Sequence, residues 1–150
     1  MSPNTLENNQ LRSILPQAYP FVLIDRVIDF KKGESLVAVK NITANEWPFT
    51  ADVTLLHYPE TLLIEAAAQS ALVLYHLSKV EEGEPRPKYF LGRVKSEFSC
   101  QVSAGSQIRL TVKSARMLAA GGYSDIDIYE NQELVSKVEI FYKAQHKRGV

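Results

Sequence analysis

Glu65 and Gln69 stand four residues apart in a stretch otherwise dominated by Leu, Ile, Val and Ala. On a helix that spacing puts both on one face. Two readings fit the pair. One is structural: an exposed helix edge, or a Glu–Gln hydrogen bond inside a packed site. The other is acid–base chemistry, because a carboxyl in apolar surroundings is shifted toward its neutral form and can then give a proton to a leaving group. Spacing alone does not separate them. His57 lies just ahead of the same stretch, either as a surface or satisfied histidine or as a base. His76 is expected at the exposed end of the helix, and His146 in a solvated basic tail, Lys143 to Arg148. The three histidines lack the spacing of zinc ligands, so no metal is expected. Cys100 falls in a predicted strand with no histidine nearby and reads as a buried structural thiol, not a nucleophile. No G-x-S-x-G elbow is present. Gly121-Gly122 lacks the Lys and helix of a phosphate loop and reads as a turn.

The elements that must position these groups follow from the apolar pattern. A short helix is predicted from a cap at Asn4 or Thr5, through Leu6, Leu11, Ile14 and Leu15, to Pro16. Tyr19 to Phe30 and Ser35 to Thr43 read as two strands around the turn Lys31-Lys32-Gly33-Glu34. Thr43 to Tyr58 keeps neither period and mixes Trp47, Phe49, Val53 and Leu55 with polar residues. Loops of about fifteen residues in compact domains tend to be binding or functional segments. Pro59 opens a helix, since its missing N–H would be unpaired there anyway, and Glu60 suits the positive end of the dipole. The run from Thr61 to Val80 has no Gly or Pro and is apolar almost all round, which marks a buried helix. Glu65, Gln69, Tyr75 and His76 argue against its crossing a membrane. Four strands are predicted after it, at Lys88 to Val102, Gln107 to Leu118, Tyr123 to Glu130 and Leu134 to Gln145, as an antiparallel meander. The expected fold is therefore α+β: a six-stranded antiparallel sheet wrapped around one long central helix. One sheet covers one side of a helix, so a second subunit is expected to cover the rest.

Composition bounds the function. The chain has 150 residues, 45% hydrophobic and 23% charged, which fits one domain spanning 1–150 and excludes disordered and fibrous classes. Lys+Arg 17 balances Asp+Glu 17, so there is no basic field for a nucleic-acid partner. A single cysteine and a polar start from Met1 to Asn9 point to a reducing, cytoplasmic setting. Zero net charge disfavours a soluble lone monomer and hints at an oligomer.

Several segments, in order, resemble one family. Ile14-Leu15-Pro16 through Tyr19-Pro20-Phe21-Val22-Leu23-Ile24-Asp25-Arg26-Val27 is similar to the L-P-H-R-Y-P-F-L-L-V-D-R-V opening of the hot-dog-fold 3-hydroxyacyl-[acyl carrier protein] dehydratases. Thr43-Ala44-Asn45-Glu46 resembles their T-x-N-E, and Leu62 to Gln69 their L-I-I-E-A-L-A-Q helix. Tyr89-Phe90-Leu91-Gly92 and Val102 to Leu110 resemble the later Y-F-A-G and V-x-P-G-D-Q-L-R-L. The resemblance implies a hot-dog fold and a two-fold dimer whose active site straddles the interface. It implies a His that removes the α-proton, and from the other subunit a helix Glu that helps the β-hydroxyl leave. The acyl chain travels on the phosphopantetheine of acyl carrier protein or of CoA, so no other cofactor is implied. Fatty-acid, polyene or pigment pathways are the implied settings.

The resemblance places Glu65 as the acid/base residue and leaves the histidine position, eight residues before Pro59, at Ala51. The surrounding G-H-F-P-x-x-P-x-x-P-G motif is altered too, with Thr50, Asp52, Val53, Leu56 and Glu60 at motif positions, and Gln17 replaces the His of L-P-H-R. Asp52 and His57 are the candidates for the second catalytic group. Gln69, Phe49, Tyr58, Pro59 and Gly92 are the candidate substrate-binding residues. Four readings stay open: a divergent dehydratase of 3-hydroxyacyl thioesters, a half-site that pairs Glu65 with a His-bearing paralogue, a non-catalytic acyl or acyl-carrier binder, and a thioesterase on the same fold.

Overall fold

The computed structural model describes residues 4–147. Its organising element is α3 (Glu60–Lys79), with Pro59 as N-cap. Every residue from Ala66 to Tyr75 is buried. Six strands, β1 (Arg26–Lys31), β2 (Ser35–Asn41), β3 (Lys88–Phe98), β4 (Gln107–Leu118), β5 (Gly121–Glu130) and β6 (Glu133–Gln145), form one antiparallel sheet in the order β1-β2-β4-β5-β6-β3. The helix lies against β2, β4, β5 and β6. Alternation supplies the inner face: Ile108, Leu110 and Val112 on β4, Ile126 and Ile128 on β5, and Val138 and Ile140 on β6 are all sealed from solvent. This is the hot-dog arrangement that the resemblance implies.

Four expectations are corrected. First, β3 does not join a simple meander. It pairs with β6 at the far edge, because residues 99–106 are bound elsewhere: Tyr58 donates to the Val102 carbonyl, Gly105 to that of Ile42, and Ile42 to that of Ser106. Second, α3 is not left half wet. The segment ahead of β1 and the short helix α1 (Asn8–Ile14) cover its other side, with Leu11, Leu15, Leu23 and Ile24 buried against the common core. An unsatisfied helix face therefore gives no argument for a second subunit. Third, the first strand begins only at Arg26, since the residues before it form this cover and not a ladder. Fourth, Gly121 and Gly122 are the first residues of β5, leaving Ala119-Ala120 as the turn. Gly121 has φ +143°, and a Cβ there would run into the Tyr142 carbonyl, so glycine is required.

Two local details differ as well. The first helix starts late, capped by Glu7, because Leu6 is held in a bridge to Val27. The irregular segment contains a short helix, α2 (Trp47–Ala51), with Pro48 in its first turn. Glu46 caps it and gathers three donors: the Thr43 amide at 3.1 Å, the Lys40 ammonium at 2.7 Å and the Tyr58 hydroxyl at 3.2 Å. Lys40 is only 3% exposed, and its ammonium also sits 5.2 Å from the Tyr58 ring centroid. Glu46→Ala should strand this buried ammonium, and loss of one partner of a buried ion pair costs about 3 kcal/mol. Urea unfolding should show that loss, and an unchanged midpoint would refute the pair's structural role.

Candidate active site

Gln69 is completely buried, and its amide orientation follows from its neighbours. The Leu23 N–H donates to Oε1 at 2.9 Å, so that atom must be the oxygen. Nε2 then faces the Phe21 carbonyl at 2.6 Å and Glu65 Oε1 at 3.2 Å. Gln17 donates a second amide N–H to the same Glu65 Oε1, also at 3.2 Å. Both amide donors sit on Oε1, which leaves Oε2 free of these two contacts. The helical spacing thus produces both things the sequence suggested: a Glu–Gln hydrogen bond and a carboxyl in a mostly apolar cleft.

That cleft encloses about 120 Å³ and is lined by Pro16, Gln17, Glu65, Ala68, Leu72, Tyr89, Phe90, Leu91, Ile140 and Tyr142. Gln17 also lines a second, wider groove of about 750 Å³ that contains Lys40, Thr43, Asn45, Glu46, Trp47 and Thr50. Gln17 is therefore the residue shared by the Glu65 cleft and the groove beside α2. Its Oε1 is buried with no hydrogen-bond partner among the described residues. The substitution at the L-P-H-R position was visible in the sequence, but its contact with Glu65 spans 48 residues and no local pattern reports it.

The other candidates sit elsewhere. Asp52 is exposed just after α2, where its carboxylate accepts from the Thr54 hydroxyl at 2.6 Å and the Thr54 amide at 3.0 Å. Those bonds hold its pKa below the usual value and make it a weak base. The His57 ring faces the Ser103 hydroxyl at 3.3 Å, in a bridge between those two residues. Neither lines the cleft of Glu65. Phe49 and Tyr58 are buried core residues with ring centroids 6.1 Å apart. Pro59 caps α3, and Gly92 lies at an irregularity of β3, where a Cβ would make an ordinary contact with the Phe141 carbonyl. Of the five proposed substrate contacts, Gln69 alone touches Glu65, and none of the five is a cleft wall.

The remaining titratable groups also differ from expectation. His146 is only partly exposed and is tethered: its Nε2 lies 2.9 Å from both the Tyr75 hydroxyl and the Ala119 carbonyl. Cys100 lies just beyond β3, partly exposed, with its thiol 3.7 Å from the Leu134 carbonyl. Desolvation, with Glu133 and Glu130 adding to it, raises its pKa and keeps it protonated. His76 is half-buried, and desolvation together with Arg86 lowers its pKa. Among the described residues, no three His, Cys, Asp or Glu side chains converge as metal ligands. No helix among them is long and apolar enough to cross a membrane.

Residues 15–140 match the FabA-like domain family. The chain belongs to that family. Among similar FabA-like proteins, it is 36% identical over 138 residues to the 3-hydroxyacyl-[acyl-carrier-protein] dehydratase FabZ of Shewanella woodyi, covering 91% of each chain. It is 40% identical over 118 residues to the FabZ of Legionella pneumophila, covering 74% of this chain and 75% of that one. Solved structures share the fold at lower identity. A chain of the dehydratase heterocomplex ApeI:P from Xenorhabdus doucetiae superimposes with TM-score 0.79 at 17% identity, covering 91% of each chain. A mutant form of thioesterase PA1618 from Pseudomonas aeruginosa does so with TM-score 0.70 at 12%, covering 95% of this chain and 96% of that one.

Two measurements check this site. Gln69→Leu leaves the buried Leu23 N–H and Phe21 carbonyl unpaired, and should cost about 2–4 kcal/mol by chemical denaturation. A loss below about half a kcal/mol would contradict the network. Because the folded state disfavours protonated His76, its contribution is present above the ordinary histidine pKa of about 6.5 and is lost as pH falls through the depressed folded value. Melting temperature should therefore fall below about pH 6.5, and His76→Gln should flatten that part of the curve.

Proposed function

We propose that this chain is a dehydratase subunit acting on 3-hydroxyacyl thioesters carried by phosphopantetheine, with Glu65 as the proton donor to the departing hydroxyl. The observation that carries the reading is the double amide contact to Glu65 Oε1, which leaves Oε2 to address substrate. The FabZ relatives supply the reaction class. A base removes the α-proton, the electron pair forms the α–β double bond, and the β-carbon–oxygen bond breaks with its pair going to oxygen. That oxygen takes the Glu65 proton and leaves as water, giving the enoyl thioester. The base then returns its proton to Glu65 for the next turnover. Acyl carrier protein fits as the carrier, since the curated relatives are named for it.

The base must approach the cleft from outside this chain's own walls, so the working unit is a pair of subunits. In a homodimer the segment around Ala51, Asp52 and His57 of the second copy would face Glu65. A second reading, a heterodimer in which a His-bearing paralogue supplies the base, is favoured by Asp52 and His57 themselves. Thr54 weakens the carboxylate as a base, and Ser103 engages the imidazole.

Purified protein incubated with 3-hydroxyacyl carrier protein should produce enoyl thioester, and Glu65→Gln should lower the rate by at least about a hundredfold. Unchanged enoyl formation by that variant would overturn the role of Glu65. Release of free thiol without enoyl product would indicate a thioesterase instead. If the heterodimer is the working form, activity should appear only on co-expression with a His-bearing dehydratase subunit, and mass spectrometry should find mixed dimers.

A further inference from the structure

The cleft that begins at Glu65 is small, about 120 Å³, and open on the side of the exposed Phe90 and Leu91. Its helical wall is Glu65, Ala68 and Leu72, one above another on a single face of α3. From the first to the last of these the helix rises about 10 Å. Tyr89 of β3 and Tyr142 of β6 line the cleft too, and their packing on Tyr75, one helical turn beyond Leu72, sets them at that end. Behind them stands Tyr75, fully buried and edge-on to both: ring centroids are 5.9 Å from Tyr89 at 88° and 5.6 Å from Tyr142 at 84°. Tyr75 is pinned in turn, donating its hydroxyl to the Ala119 carbonyl at 2.7 Å, with His146 Nε2 at 2.9 Å. Three rings packed edge to face, with the rear one tethered, make a stiff end.

The rings make this wall, and the front hydroxyls do not. The Tyr89 and Tyr142 oxygens are buried and form no hydrogen bond with the described residues. The Tyr142 oxygen lies over Gly122, 2.7 Å from where a Cβ would stand, and the neighbouring Ser124 hydroxyl falls short of bonding geometry with it. Burial pushes the Tyr142 phenol up to about 12, so it stays neutral. Removing a buried hydroxyl that has no partner costs little or nothing, whereas removing the ring opens space.

We propose that Tyr89 and Tyr142, braced by Tyr75, form an end wall that restricts the Glu65 site to short acyl chains. An apolar cavity of about 150 Å³ takes one benzene, so this cleft of about 120 Å³ has room for about five carbons beyond the β-carbon. The proposal rests on the reading of Glu65 as the acid at the other end of the cleft.

The test is a length series of 3-hydroxyacyl pantetheine thioesters, from butyryl to hexadecanoyl, assayed on the working form of the enzyme. Octanoyl should be accepted, and kcat/KM should drop by at least about tenfold by tetradecanoyl, since single methylenes in a filled apolar pocket already discriminate on that scale. Tyr89→Phe and Tyr142→Phe should keep the cut-off. Tyr89→Ala should move it to longer chains, and Ala68→Leu, which fills the cleft from the helix side, should move it to shorter ones. Ala68→Leu keeps the test open if Tyr89→Ala does not fold. A flat wild-type profile to hexadecanoyl, or a cut-off unmoved in both Tyr89→Ala and Ala68→Leu, would overturn the wall. Absence of turnover at every length would instead count against the dehydratase reading. Calorimetric binding of saturated acyl-pantetheine thioethers then reads the wall directly, and affinity that keeps rising to hexadecanoyl refutes it.

Discussion

The buried amide of Gln69 is the constraint on which the site depends. One side chain bonds the backbone of the covering segment twice, at Phe21 and Leu23, and Glu65 once. A glutamine surrounded by alanine and leucine would be costly if any of these partners were missing. The same bonds that offset that cost also seat the segment on α3 and fix which carboxylate oxygen is engaged. Fold and chemistry are thus coupled through a single residue: an error in the cover would show at once as an error in the acid.

Gln17 belongs to the same construction but is held less tightly. Its amide nitrogen meets Glu65, while its oxygen has no partner among the described residues. It separates the narrow cleft, which has an apolar length and a tyrosine end, from the broad groove beside α2. The groove is lined by polar groups from the Thr43 to Thr50 segment, including the Glu46 and Lys40 pair. A thioester has these two kinds of surroundings to satisfy, a greasy tail and a polar, charged arm. The two cavities meeting at Gln17 differ in the same sense.

Much of this was legible in the residues. The Pro59 start, the unbroken apolar run to Val80 and the strand at Gln107 to Leu118 follow from local rules, and the structure places them within a residue or so of expectation. The motifs that resemble the dehydratases located Glu65 and Gln69 together. What local rules missed is tertiary. Tyr19 to Ile24 has strand-forming residues, yet its Phe21 carbonyl and Leu23 amide are taken by Gln69 and the segment covers the helix. The contact between Gln17 and Glu65 and the bracing of Tyr89 and Tyr142 by Tyr75 join distant parts of the chain, where periodicity carries no signal. Asp52 and His57 have the side-chain chemistry of a base, but Thr54 and Ser103 engage them first.

The position of β3 at the outer edge has a consequence for how the molecule comes into being. Its hydrogen-bonded neighbour is β6, the last strand among the described residues, although β4 and β5 lie between them in sequence. During synthesis β3 therefore emerges long before β6, its ladder partner, exists. Closure of the sheet, and with it of the cleft wall carrying Tyr89, waits for β6 to leave the ribosome. Such long-range pairing slows folding because loop entropy is lost before the contact forms. Until that moment the nascent chain exposes the unpaired strand Lys88–Phe98, with Phe90 and Leu91 on it, as a template for unwanted association.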